Sequence, residues 1–95
     1  MASNPTHKPQ DMRTLRARLM YQSAHRGTRE MDLLLGSFAR AHLDQFNESQ
    51  LAEYHNLLNE KDNDLYDWYA GYLPVPAEKN TAVLQLFLAH PFAAS

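Results

Sequence analysis

Histidines and carboxylates are the side chains of this sequence that could bind a metal or catalyse a proton transfer. The chain has five histidines and no cysteine, and no two histidines form an H-x-x-x-H or H-E-x-x-H pair. The acidic stretch "DNDLYD" does not fit a calcium loop, because Tyr66 occupies its third ligand position and the bend glycine is missing. The sequence also has no G-x-S-x-G motif and no phosphate-binding loop. We therefore predict no catalytic residue, no metal site and no enzymatic activity.

The stretch "AHRGTREMDLLL", residues 24–35, is instead a candidate for binding. Gly27 interrupts two helical patterns, and we predict that it turns the chain with a positive φ. In a purely structural interpretation, Gly27 is the N-cap of the next helix and Glu30 is its N3 residue, close to the free N–H groups. Arg26 and Arg29 would then be solvated charges.

A second interpretation makes the same corner a partner surface, and we prefer it. Arg26 and Glu30 lie on either side of the turn, so the turn restricts the mobility of both charges. At about 100° per residue, Leu33 points roughly 160° away from Met31 of the core stripe. Leu33 is therefore an apolar residue on a helix face that should be exposed to solvent. A rigid charge pair beside an exposed aliphatic side chain suits protein–protein recognition.

Five short helices are needed to position this corner. Apolar residues recur at helical spacing along most of the chain, and no segment alternates like a strand. The predicted helices cover about 11–24 and 28–45, a third opened by a capping box of Asn47 and Gln50, a fourth capped by Asp62 or Asp64 and ended near Gly71, and a fifth over 77–90. The predicted fold is an all-α, small single-domain bundle.

We expect three parts in the chain: a flexible segment over 1–10, the helical domain over 11–90 and a tail over 91–95. The polar start has no secretory apolar region and makes a poor transit peptide, and no apolar run approaches the ~18–20 residues of a membrane span. We therefore expect a cytoplasmic protein without stable membrane insertion.

Charge is divided unevenly along the sequence. Residues 1–45 carry seven Lys and Arg against four Asp and Glu, and residues 46–95 carry two against seven, so balances of +3 and −5 give the net −2. Such asymmetry suits steering of a protein partner. A helix-turn-helix interpretation is disfavoured, because the second helix exposes Asp32, Leu33 and Asp44 rather than side chains that read bases. We expect no nucleic-acid partner.

The segment "RGTREMDLLLGSF" resembles the R-G-x-x-E signature of the succinate dehydrogenase assembly factors, the SdhE-type flavinylation factors. "LRARLMYQSAHRG" before it and "LAEYHNLLNEKDNDLYDWYAG" after it are similar to the family's flanking patterns, so the resemblance covers about residues 13–73. His25 and Thr28 depart from the usual residues, and the chain after Pro76 follows the family only loosely. The resemblance implies a small five-helix chaperone that binds the flavoprotein subunit of succinate dehydrogenase and promotes covalent attachment of FAD to it. The flavoprotein of fumarate reductase is implied as a second client.

Carried over by position, the resemblance makes Arg26, Gly27 and Glu30 the functional residues, with Arg29 and Asp32 bordering the contact surface. We expect Arg26 and Glu30 to pair with client charges, and we expect Leu33, on the exposed side of the helix, to bury against the client.

The factor would hold a conformation in which a client histidine attacks the flavin, so FAD belongs to the client and the chain needs no cofactor of its own. We place the protein in the bacterial cytoplasm and expect a free monomer. The alternative is a generic helical adaptor or regulator without a flavoprotein client.

Overall fold

The computed structural model describes residues 9–91, and within that range it contains five α-helices and no strand. The helices are α1 (Pro9–Ala24), α2 (Arg29–His42), α3 (Glu48–Leu58), α4 (Asp62–Ala70) and α5 (Ala82–Ala89), with short 3₁₀-helical turns at Leu43–Gln45 and Ala77–Lys79. The predicted all-α, single-domain bundle is confirmed. Most of the predicted flexible segment, residues 1–8, and most of the predicted tail, residues 92–95, lie outside the described residues.

All five helices contribute to one apolar core. Helix α1 packs on α2 and α3, and α5 packs on α3 and α4. Phe38 lies at the centre, with its ring 5.5 Å from that of Tyr54 and 5.8 Å from that of Phe87. The other buried apolar residues are Leu19, Met31, Leu34, Leu35, Ala39, Leu43, Phe46, Leu51, Leu57, Leu58, Leu65, Val83 and Leu84.

Between residues 9 and 91, no helix combines the length and the apolar character that crossing a bilayer requires.

The capping box predicted for α3 is confirmed. The Asn47 side chain accepts from the Gln50 amide at 2.9 Å, and the Gln50 side chain accepts from the Asn47 amide at 2.8 Å. These two bonds satisfy amides that would otherwise be free at the start of the helix. The position of α3 is therefore determined by residues at its own first turn.

The last helix begins later than predicted, so the predicted start at residue 77 is wrong. The chain makes a 3₁₀-helical turn at Ala77–Lys79 and then leaves helical geometry at Asn80. Helix α5 begins after Thr81, because the Thr81 hydroxyl accepts from the Leu84 amide at 3.1 Å and caps the helix. Helix α2 is also shorter than predicted, since the chain tightens into the 3₁₀-helical turn after His42.

An arginine of α1 ties that helix to the end of α2. Arg16 donates from Nε to the carbonyl oxygen of Leu43 at 3.1 Å and from Nη2 to that of Phe46 at 2.8 Å. The Leu43 carbonyl also accepts from the Phe46 amide within the 3₁₀-helical turn, so the guanidinium adds a bond to that carbonyl and another to the carbonyl that follows the turn. The chain uses the same arrangement a second time, at the corner between α1 and α2.

Candidate partner-binding site

The corner between α1 and α2 ends at Thr28, which is the N-cap of α2. Thr28 has an extended backbone, and its hydroxyl accepts from the Met31 amide at 3.2 Å. The predicted N-cap, Gly27, is therefore wrong by one residue, because glycine has no side-chain acceptor and Thr28 does. Glu30 is then the second residue of the helix rather than the third, still within the turn where a carboxylate favours the helix dipole.

Gly27 allows a close approach between two chain segments rather than an unusual backbone angle. The positive φ predicted for Gly27 is wrong. A positive φ occurs instead at Gly71, with φ 82° at the end of α4. The Gly27 amide donates to Oδ2 of Asp62 at 2.8 Å. A Cβ added at Gly27 would lie 3.2 Å from that same oxygen, closer than most carbon–oxygen contacts, so a larger residue would push the carboxylate away.

Arg26 joins the corner to α3 and α4. Its Nε donates to Oδ1 of Asp62 at 2.7 Å, its Nη1 to the carbonyl of Leu58 at 2.7 Å and its Nη2 to the carbonyl of Glu60 at 2.8 Å. The side chain is only 12% exposed. Leu58 is the last residue of α3 and Asp62 the first of α4, so one guanidinium caps the end of one helix and pairs with the start of the next.

These bonds change the interpretation of two predicted site residues. Arg26 was expected to pair with client charges, but the structure gives its guanidinium three partners within the chain. Its backbone amide also donates to Oδ1 of Asp32, which places that half-buried carboxylate against the turn. Arg26 and Asp32 thus hold the corner together, and a direct contact of either with a client stays a prediction.

Three of the predicted residues lie on the outer surface of the corner. Arg29 and Glu30 are exposed, and Leu33 is 41% exposed, as its position off the core stripe predicted. Within the part of the chain that the structure describes, the Glu30 carboxylate has no hydrogen-bond or ion-pair partner. The corner therefore presents a free carboxylate and an apolar side chain from a turn that intramolecular bonds hold in place.

A cavity that was not predicted from the sequence adjoins Glu30. A cavity of about 390 Å³, here called the corner cavity, is lined by Thr28, Glu30, Met31, Asp62, Asn63 and Tyr66. Tyr66 is 38% exposed and its ring lies 6.3 Å from that of Tyr72. One signal was available, because Tyr66 is an aromatic residue that lies off the inward stripe of α4, which residues 65, 68 and 69 form. The proximity of α4 to the corner had no local signal.

Comparison with known proteins identifies relatives for most of the chain. The family model described as "Flavinator of succinate dehydrogenase" matches residues 17–91. A succinate dehydrogenase assembly factor 2, mitochondrial, of Dictyostelium discoideum is 44% identical over 80 residues, covering 84% of this chain and 57% of the relative. The assembly factors 2-A of Drosophila yakuba and 2-B of Drosophila ananassae are 39% and 42% identical, covering 90% and 88% of this chain and 54% and 52% of theirs.

The chain thus spans somewhat more than half the length of these curated relatives. The predicted bacterial, cytoplasmic location is wrong by this comparison, because the relatives are mitochondrial proteins of eukaryotes. The polar N-terminal sequence and the lack of a long apolar run, on which that prediction depended, do not specify a compartment. With a family model matching residues 17–91 and relatives at about 40% identity, this chain belongs to the flavinator of succinate dehydrogenase family.

Proposed function

We propose that the chain binds the flavoprotein subunit of succinate dehydrogenase and promotes covalent attachment of FAD to that subunit. The observation that carries this proposal is the match of the flavinator family over residues 17–91, which includes the whole corner between α1 and α2. The relatives named as succinate dehydrogenase assembly factors support the same client. The comparisons do not indicate a fumarate reductase client or a generic adaptor, and neither is proposed.

In this proposal the corner is the docking surface, and its residues have two different tasks. Arg26 and Gly27 hold the turn in a fixed shape through their bonds to Asp62 and, for Arg26, to the end of α3, and the Asp32 carboxylate supports it by accepting from the Arg26 amide. The exposed residues Arg29, Glu30 and Leu33 make the contact with the client. A preformed surface loses less entropy on binding than a mobile one, so the internal bonds of Arg26 favour affinity without contact to the client.

The proposed contribution of the chain is positioning rather than chemistry. FAD would be bound by the client, and a client histidine and the flavin would supply the reacting atoms. Holding a reactive group in the correct orientation can accelerate a reaction strongly without any catalytic residue in the protein that holds it. A free monomer and the absence of a nucleic-acid partner stay predictions.

The test is co-expression of the chain with the succinate dehydrogenase flavoprotein of the same organism, in a host that lacks its own assembly factor. Covalently bound flavin is measured as fluorescence of the flavoprotein band after denaturing electrophoresis. We expect the wild-type chain to raise the flavinylated fraction and Glu30→Ala to lower it about tenfold, as for loss of an anchor residue.

Glu78→Ala is the matched control, because it removes an exposed carboxylate from the 3₁₀-helical turn Ala77–Lys79, outside the corner cavity. We expect it to act like the wild type. An equal flavinylated fraction with and without the chain would contradict the proposed function.

A further inference from the structure

We propose that the corner cavity binds one cationic side chain, a lysine or an arginine, of the flavoprotein client. This inference rests on the proposed function and adds to it the chemistry of the client residue that the cavity receives.

The lining of the corner cavity carries one uncompensated negative charge. Two carboxylates line it, but both oxygens of Asp62 are already bonded, one to the Arg26 guanidinium and the other to the Gly27 amide. Glu30 is exposed, and among residues 9–91 its carboxylate has no hydrogen-bond or ion-pair partner. Arg29 precedes Glu30 in the sequence and Lys61 precedes Asp62. Both basic residues are exposed, but neither lines the corner cavity.

The remaining surface fits the rest of a long basic side chain. Met31 lines the cavity with apolar atoms although it is almost fully buried, and Tyr66, which is 38% exposed, lines it with an aromatic residue. Lysine and arginine have aliphatic stems that pack on apolar surface, and their charged groups are attracted to the face of an aromatic ring. A cation in the cavity would therefore contact the Glu30 carboxylate and the Tyr66 ring together.

Other occupants match the lining less well. An anionic group would face the Glu30 carboxylate at short range and be repelled by it. An apolar side chain would cover Glu30 without giving its carboxylate a partner, and burying an unpaired charge is strongly unfavourable. A cationic side chain is the occupant that both fills the apolar part and pairs with the charge.

The walls of the cavity are held before any partner arrives. Asp62, at the start of α4, is fixed by Arg26, which also bonds to the carbonyl of Leu58, the last residue of α3. Glu30 follows the capped start of α2, where the Thr28 hydroxyl bonds to the Met31 amide. The parts of the lining that come from α2 and from α4 are thus linked through the corner, which keeps Glu30 and Tyr66 in one site.

The test measures the Kd of the full chain for the isolated flavoprotein subunit by isothermal titration calorimetry. We expect Glu30→Gln and Tyr66→Leu each to weaken binding about tenfold, because the first removes the charge and the second the ring. Tyr66→Phe keeps the ring and should stay within about twofold of wild type. Glu78→Gln removes an exposed charge outside the cavity and should bind like wild type. Thermal unfolding of each variant establishes that it is folded.

The client residue is found by a double-mutant cycle. Each lysine and arginine of the client surface that the chain protects from hydrogen exchange is replaced by methionine. We expect one replacement to weaken binding about tenfold and to make Glu30→Gln silent in its background, because the pair is then already broken. Unchanged binding by Tyr66→Leu, or a Glu30→Gln effect that couples to no client lysine or arginine, would overturn the cavity inference alone. Failure of the wild-type chain to bind the flavoprotein would overturn the proposed function and this inference with it.

Discussion

Gly27 shows how the lack of one side chain determines the geometry of the corner. Its amide bonds to Asp62 at 2.8 Å, and a Cβ would lie 3.2 Å from the same carboxylate oxygen. We predict that Gly27→Ala displaces the carboxylate and weakens its bonds to the Gly27 amide and to Arg26. The expected loss is about 1–2 kcal/mol of the free energy of unfolding, the scale of one or two hydrogen bonds, measured by urea denaturation.

Gly36 is the matched control for this prediction. Gly36 is buried within α2, whereas Gly27 is exposed, and a Cβ at Gly36 would meet Nη1 of Arg40 at 3.5 Å and Ala24 at 3.9 Å, which are ordinary contacts. Because alanine is a better helix former than glycine by up to about 1 kcal/mol, Gly36→Ala should be neutral or stabilising. Equal destabilisation by both substitutions would show that the Asp62 contact is not the cause.

What the sequence predicts for a single residue depends on how far away its partners lie. Leu33 was predicted to be exposed, and is, because helical periodicity alone determines the face on which a side chain lies. The ion pair of Arg26 with Asp62 joins residues 36 positions apart, and no local pattern indicates such a pairing. The positive φ expected at Gly27 was wrong because a glycine between two helices is compatible with either an unusual φ or a close approach.

Among the elements, helix bodies were easier to predict than helix ends. The start of α3 was predicted correctly because both members of its capping box lie within four residues. The cap predicted for α4, Asp62 or Asp64, was wrong: Lys61 is the N-cap, and its side chain makes no capping hydrogen bond. The physical reason is that the Asp62 carboxylate is bonded to the corner instead of to its own helix.

The contact between α1 and α3 contains a buried hydrogen bond from a tyrosine. Because of this tyrosine, the free energy of unfolding should fall at high pH. Ser23 Oγ donates to the carbonyl of Leu19 at 2.7 Å, so Tyr54 OH is the donor in its 2.6 Å bond to Ser23 Oγ. Burial raises the pKa of Tyr54 from 10.0 to about 12. The unfolded chain therefore loses this proton first as pH rises, which favours unfolding.

The stabilising contribution is complete below pH 10 and is lost as pH rises from 10 through about 12. We expect the free energy of unfolding to fall by about 1.4 kcal/mol per pH unit in that window on account of this group. Urea denaturation of wild type and Tyr54→Phe at a series of pH values measures it. Burial also raises the pKa of Tyr69, and a hydrogen bond to Glu60 raises that of Lys79, but both groups are present in both proteins and cancel in the difference. A wild-type curve parallel to that of Tyr54→Phe would contradict the assignment.

For the whole molecule, the question is which part of the surface meets the client. Two exposed leucines on different helices allow a matched comparison, because Leu33 of α2 is 41% exposed and Leu86 of α5 is 39% exposed. Neither belongs to the buried core, so replacement of either by aspartate should change the free energy of unfolding by less than about 1 kcal/mol, mostly through helix propensity. The two variants therefore place the same new charge at different positions on an intact bundle.

We predict that Leu33→Asp weakens binding of the flavoprotein subunit about tenfold or more, while Leu86→Asp leaves the Kd within about twofold of wild type. The reason is that aspartate at Leu33 would be buried against the client without a partner, whereas at Leu86 it would stay in water. Calorimetric titration of the flavoprotein with each variant gives both values. Equal weakening by the two variants would show that the contact surface extends to α5. Wild-type binding by Leu33→Asp would show that the part of α2 after Glu30 does not contact the client. Because both substitutions add one negative charge, a general electrostatic effect on association would appear in both, and only their difference locates the docking face.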